Sequence, residues 1–184
     1  MEKKINKLEK SSVVEHSKEW AEKYSKEAEI IKKVLNSEIT DIQHIGSTAI
    51  SGLSAKPIID IAVLVKSIEN ISHFTELLEK IGYNYKPDMS SVERIFLRKG
   101  DPAEYHLSIA CSIHTFWERQ IFFRDYLKSH PEYIKEYENL KKETIKELPE
   151  GDFKDLSRSK GYSAKKSPFI EKILKLAQEE KFNE

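Results

Sequence analysis

The chain has 184 residues, 31 of them basic and 31 acidic, which predicts one domain with a full hydrophobic core and excludes a global electrostatic pull toward nucleic acid or membrane. Its one cysteine, Cys111, excludes an intrachain disulfide and fits a reducing compartment. The opening MEKKINKLEK is charged throughout, unlike a signal peptide, and no apolar run approaches the ~18 residues of a membrane span, so the expected location is cytoplasmic with no membrane partner.

Residues 1–12 read as a flexible polar leader, and 13–184 as a single domain. From Ser17 onward, Trp20, Tyr24, Ala28, Ile31 and Leu35 recur at helical spacing, predicting an amphipathic helix whose aromatic stripe packs in the core. Ile39 to Ile45 reads as a strand ending at Gly46. Pro57 to Val65 is nearly continuous Ile, Val and Leu around Asp60, the pattern of a central strand buried on both faces. Ser67 is expected to cap a helix carrying Ile71, Phe74, Leu77, Leu78 and Ile81, which Gly82 stops. Tyr83 and Tyr85 suggest a short strand. Glu93–Arg98 and Glu104–Ala110 alternate around the Gly100-Asp101-Pro102 turn, predicting an antiparallel hairpin. On the first strand Ile95 and Leu97 share one face and Arg94, Phe96 and Arg98 the other; on the second, Tyr105, Leu107 and Ile109 share a face and His106, Ser108 and Ala110 the opposite one. Beyond Cys111 the chain reads as helical. Thr115 and Glu118 suggest a capping box before a core stripe of Phe116, Phe123 and Leu127. His130-Pro131 starts a new helix with Tyr133, Tyr137 and Leu140. Pro149 to Gly161 reads as irregular, and Ser167-Pro168 is expected to open a last helix through Ile173, Leu174 and Ala177.

The chemistry concentrates between Gln43 and Val65. Gly46 permits a tight turn with positive φ and a close ligand approach, while Ser47 adds a hydroxyl beside the turn amides, parts suited to phosphate. This segment is neither a Walker loop nor a nucleophile elbow. An acid inside an apolar strand costs free energy unless it is paired, hydrogen-bonded or metal-bound, so Asp60 is a candidate catalytic residue and metal ligand. Two residues further on, where a bidentate or two-metal site wants a second acid, stands Ala62. Lys56 suits either a phosphate contact or a solvated loop. Arg94 and Arg98 share a strand face that suits a phosphate-rich ligand, and His106 joins it as donor or general base. Arg124 is a further candidate ligand contact, whereas Asp125 fits helix docking. His106, Cys111 and His114 match no common zinc spacing.

The run His44-Ile45-Gly46-Ser47-Thr48-Ala49, then Gly52-Leu53, then Ala55-Lys56-Pro57-Ile58-Ile59-Asp60-Ile61 resembles the signature of the GrpB family. Matches continue through Trp20, Arg94, Phe96, His106-Leu107, Phe123-Arg124-Asp125-Tyr126-Leu127, His130-Pro131, Tyr137, Leu140-Lys141, Tyr162, Lys166 and Phe169. That family is assigned to the nucleotidyltransferase fold superfamily and also occurs fused to dephospho-CoA kinase. The resemblance implies an α/β (α+β) fold: a small, mostly antiparallel mixed sheet flanked by N- and C-terminal helices. It also implies a cleft for a nucleotide or other phosphorylated small ligand, with Mg²⁺ brought in alongside the phosphates. In the superfamily pattern the strand reads acid-apolar-acid, and Ala62 departs from it. Two expectations follow: nucleotidyl or phosphoryl transfer through Ser47, Asp60, Arg94 and His106, or a non-catalytic binding or regulatory module. A nucleic-acid partner is disfavoured by the neutral charge.

Overall fold

The computed structural model describes residues 13–111, 115–147 and 160–183. The leader at 1–12, His114 and most of the irregular stretch 149–161 lie outside these residues. A first helix, α1 (Glu19–Leu35), leads through a short 3-10 turn to β1 (Ile39–Ile45) and then β2 (Ile59–Val65). Next come α2 (Ile71–Glu79), β3 (Tyr83–Tyr85), β4 (Arg94–Lys99) and β5 (Tyr105–Cys111), followed by α3 (Thr115–Ser129), α4 (Pro131–Glu147) and α5 (Lys160–Asn183).

The strands form one mixed sheet in the order β1-β2-β5-β4-β3. Only β2 and β5 are parallel; the other pairings are antiparallel. The hydrophobic run of β2 is explained by this central place, since residues flanked by strands on both sides and covered on both faces meet little water. Ile61, Ala62 and Val63 are fully buried.

Strand alternation sorts the side chains onto two faces. Ile59, Ile61, Val63, Ile95, Leu97, Leu107 and Ile109 pack with Trp20, Ile31 and Leu35 of α1 and Phe74 and Leu78 of α2 in the main core. The opposite face follows from the register. Asp60 pairs with Ile45 on one side and His106 on the other, Ala62 pairs with Ser108, and Ser108 with Phe96. A second apolar cluster joins Ile50 and Leu53 of the loop before β2 to Leu127, Tyr137, Phe169 and Ile173 of α3, α4 and α5.

A charged pair is set into the main core. Glu27 of α1 accepts from Lys99 Nζ at 2.8 Å, with only 5% of the Glu27 side chain exposed. The ammonium also sits 5.5 Å and 5.7 Å from the ring centres of Tyr83 and Tyr105, so cation–π attraction adds to the ion pair.

Several sequence expectations are corrected. The cap of α2 is Asn70, whose side chain accepts from His73 N–H, while Ser67 accepts from Glu69 N–H one turn earlier. Both are good capping types, and the chain's exit from β2 decides between them. Thr115 turns its hydroxyl to Glu93 at 3.2 Å. Pro168 lies inside α5 rather than opening it. Proline there removes one helical hydrogen bond, but Phe169, stacked 4.8 Å from Tyr137, holds the helix against α4.

Candidate functional site

Gly46 ends β1 with φ +70° and ψ −172°, a backbone region essentially confined to glycine. The absence of a side chain there is also a packing requirement: a Cβ on Gly46 would stand 2.4 Å from Asp60 Oδ2. The Asp60 carboxylate is therefore seated directly on the turn. The 3-10 turn Ser47–Ala49 follows, and Thr48 is buried beneath it. The Thr48 hydroxyl donates to the Ile58 carbonyl at 3.3 Å and lies 3.0 Å from His44 Nε2. With its one proton so used, Thr48 accepts from His44, which puts a proton on His44 Nε2. Burial pushes the His44 imidazole down to about 4, against the attraction of the Asp60 carboxylate.

The loop between the turn and β2 is tied to α4. Ser54 N–H donates to Glu138 Oε1 at 2.7 Å, and the buried Lys141 ammonium donates to the Ser54 carbonyl. Burial pushes Lys141 down to about 7. These contacts join residues more than eighty positions apart, and they fix the far side of the loop that carries Gly46.

Asp60 Oδ1 accepts from His106 Nδ1 at 3.0 Å, with the Asp60 side chain 35% exposed and that of His106 17% exposed. Because a carboxylate only accepts, Nδ1 carries the proton. His106 Nε2 is then left buried without a hydrogen-bond partner among the described residues. Arg94 reaches back along the same face, its Nη1 donating to Ser108 Oγ at 3.4 Å and its Nη2 to the Met89 carbonyl at 3.2 Å. Its guanidinium lies 4.9 Å from the ring centre of Phe96 and 5.0 Å from that of Phe116. Burial lowers the Arg94 pKa, with the Asp60 carboxylate pulling it back up. These groups line a cleft of about 160 Å³ together with Ile45, Gly46, Ser108 and Gln120.

The structure thus gathers Gly46, Asp60, Arg94 and His106 around one cleft. Ser47 begins the turn beside it and is not among the lining residues. Lys56 lies in the loop before β2, where its carbonyl accepts from Ile58 N–H at 2.8 Å. Arg98 sits opposite His106 across the β4–β5 pair, yet its Nε is buried without a hydrogen-bond partner among the described residues and it does not line the cleft. Arg124 lies elsewhere: Nη1 donates to Gln43 Oε1 at 2.7 Å and to the His44 carbonyl at 3.0 Å, and Nε and Nη2 engage Asp125 at 2.7 Å and 3.0 Å. Its side chain is 11% exposed, so this arginine docks α3 onto β1.

Phe116, Gln120 and Lys166 were not read as site residues from the sequence. Phe116 belongs to the cleft rather than to the expected core stripe, and Gln120, one helical turn on, shares its face. Lys166 of α5 is pushed down to about 8 by burial while the Asp60 carboxylate pulls it up. Nothing in local sequence links it to residue 60.

Asp60 supplies a single carboxylate whose two oxygens face His106 and Gly46, and Ala62 fills the second acid position with a methyl group. Among the described residues there is no group of three or more His, Cys, Asp or Glu side chains able to hold a metal. This donor set does not fit a resident pair of cations, which needs carboxylates holding both ions ~4 Å apart.

The architecture is that of a mixed α/β protein whose sheet opens onto a small polar cleft. The chain belongs to the GrpB family, whose profile, GrpB protein, matches residues 10–176. It is 32% identical over 169 residues to the glutamate-rich protein GrpB of Alkalihalophilus pseudofirmus, covering 88% of this chain and 92% of that one. To the UPF0157 protein YqkA of Bacillus subtilis it is 37% identical over 142 residues, 77% of this chain but only 41% of YqkA. A crystal structure of the conserved protein GrpB from Enterococcus faecalis superposes with a TM-score of 0.78 at 32% identity, covering 93% of this chain and 99% of that one. A likeness to Cid1 poly(U) polymerase, with a TM-score of 0.49 at 17% identity over 64% of this chain and 39% of Cid1, is too distant to carry an argument.

Proposed function

We propose that the cleft lined by Asp60, Arg94 and His106 binds a phosphate-bearing small molecule, nucleotides among the candidates. The observation that carries this reading is the placement of Arg94: its guanidinium is held between Phe96 and Phe116 on the Asp60–His106 face. Two of its N–H groups are engaged, at Ser108 and Met89, and the others of a guanidinium's fixed fork suit the oxygens of a phosphate. Aromatic packing fixes the fork in advance, so little side-chain entropy is lost when a ligand arrives.

A second reading, nucleotidyl or phosphoryl transfer, is favoured by the Asp60–His106 pair. A carboxylate that orients an imidazole through Nδ1–H leaves Nε2 as a base, the arrangement that general-base catalysis requires. The single carboxylate makes the binding module the better supported of the two.

Both readings are tested by scoring a panel of nucleotides and sugar phosphates for binding and for product, on the wild type, Arg94→Ala and Asp60→Asn. Loss of a charge-assisted contact worth about 1.5–3 kcal/mol should weaken a phosphate ligand tenfold or more in Arg94→Ala. Asp60→Asn, which removes a negative charge, should hold or raise affinity. Turnover abolished in Asp60→Asn with binding intact would establish transfer and reject the binding module.

A further inference from the structure

We infer that the cleft recognises a single phosphoryl group, so that a phosphate monoester, rather than a metal-chelated triphosphate, is the ligand class it selects. The inference rests on the phosphate-cleft reading above and narrows it by size, by charge and by one orphaned polar atom.

The cleft measures about 160 Å³, against roughly 300–1,000 Å³ for pockets that enclose a drug-sized ligand. A cleft of that size suits one tetrahedral phosphate with the rest of the molecule outside. The walls enforce this size. Phe96 and Phe116 flank the arginine, Ile45 and Gly46 close the turn side, and Ala62 and Ala110 are fully buried on the same sheet face.

The charge count points the same way. Among the described residues Arg94 is the one cation lining the cleft, and Asp60 opposes it. Lys166 is a second cation, among the described residues, that senses the Asp60 carboxylate. One monoester monoanion, the form that still carries a P–OH, is balanced by such a set. A triphosphate carries roughly four times that charge and ordinarily arrives with magnesium, which uses protein carboxylates together with phosphate oxygens. Here Ala62 replaces the second carboxylate, and the remaining one already accepts from His106.

The third observation is His106 Nε2, buried and unpartnered on a residue that lines the cleft. A buried polar atom without a partner calls for an explanation. With the Nδ1 proton committed to Asp60, Nε2 is an acceptor. A phosphate monoester has a second pKa near 6, so its monoanion offers a P–OH donor to Nε2 and its other oxygens to Arg94.

The test is a calorimetric ranking of inorganic phosphate, AMP and ATP, each with and without Mg²⁺, on the wild-type protein. Phosphate and AMP are expected to bind within a few-fold of each other, ATP no more than about threefold tighter than AMP, and Mg²⁺ to bring no gain. Arg94→Gln is expected to weaken phosphate and AMP at least about tenfold. The ranking needs only the wild type, so it stands even if the variant folds poorly. ATP binding about tenfold or more tighter than AMP, or tightening with Mg²⁺, overturns this inference and leaves the phosphate-cleft reading intact. Absence of binding by every phosphate up to about 10 mM overturns both.

Discussion

Gly46→Ala tests whether the turn and the acid form one unit. The substitution has two separable costs. The backbone at φ +70°, ψ −172° is a region that residues with a Cβ occupy only at about 1–3 kcal/mol. The new Cβ would also lie 2.4 Å from Asp60 Oδ2 and 3.0 Å from Asp60 Cβ and Cγ. The carboxylate must recoil by about 1 Å to reach ordinary contact, and overpacking of this kind costs about 1–3 kcal/mol. Together the loss is about 2–6 kcal/mol. For a chain of this size each kcal/mol lowers Tm by about 2–4 °C, so a loss near 3 kcal/mol should appear as a drop of about 6–12 °C. Recoil also pulls Oδ1 from its 3.0 Å bond to His106, so phosphate affinity should change with stability. In an Asp60→Ala background Oδ2 and Cγ are gone and only the 3.0 Å Cβ contact remains, so Gly46→Ala should then cost its backbone share and little more. That coupling, about 1–3 kcal/mol, is measurable as a double-mutant cycle in urea. A Tm within about 2 °C of the wild type, or strictly additive costs, would refute the reasoning.

Two further outcomes concern the framework. Lys99→Met leaves the Glu27 carboxylate, 5% exposed, without its cation; urea denaturation should show a loss of about 3–5 kcal/mol, largely recovered in Glu27→Gln/Lys99→Met, and a single-variant cost below about 1 kcal/mol would contradict the buried-pair account. His44, held down to about 4 from an ordinary 6.5, takes up its proton more readily unfolded than folded. Its contribution is therefore complete above pH 6.5 and is lost as pH falls toward 4, amounting to at most about 3 kcal/mol. His44→Gln keeps a donor for Thr48 and should flatten stability across that window relative to the wild type, whereas superposable pH profiles would reject the assignment.

Periodicity alone determined much of the architecture. The apolar spacing of α1, the unbroken hydrophobicity of β2 and the alternation of β4 and β5 each report the environment of a whole element, and burial of one stripe or face is a strong local constraint. The same alternation puts Arg94 with Phe96 on one face of β4 and His106 with Ser108 on one face of β5. The identity of the acid at Asp60, costly in an apolar strand, marked the site, and the match from His44 to Ile61 marked the family.

Only the tertiary structure decided which of these polar residues meet. Arg94 and Arg98 have equal claims by sequence, yet Arg94 enters the cleft because Phe116 arrives from α3 to cover it, and no local rule encodes that helix's position. Arg124 looked equally free until Gln43 and the His44 carbonyl claimed it from across the fold. Gln120 reaches the site from a segment far along the chain, Lys166 senses the Asp60 carboxylate from farther still, and Glu138 and Lys141 clamp the loop through contacts spanning 84 and 87 residues. Charged side chains are long and multivalent, so their partners follow from where helices dock, and docking is set by the apolar faces as a whole rather than by the residues beside each charge.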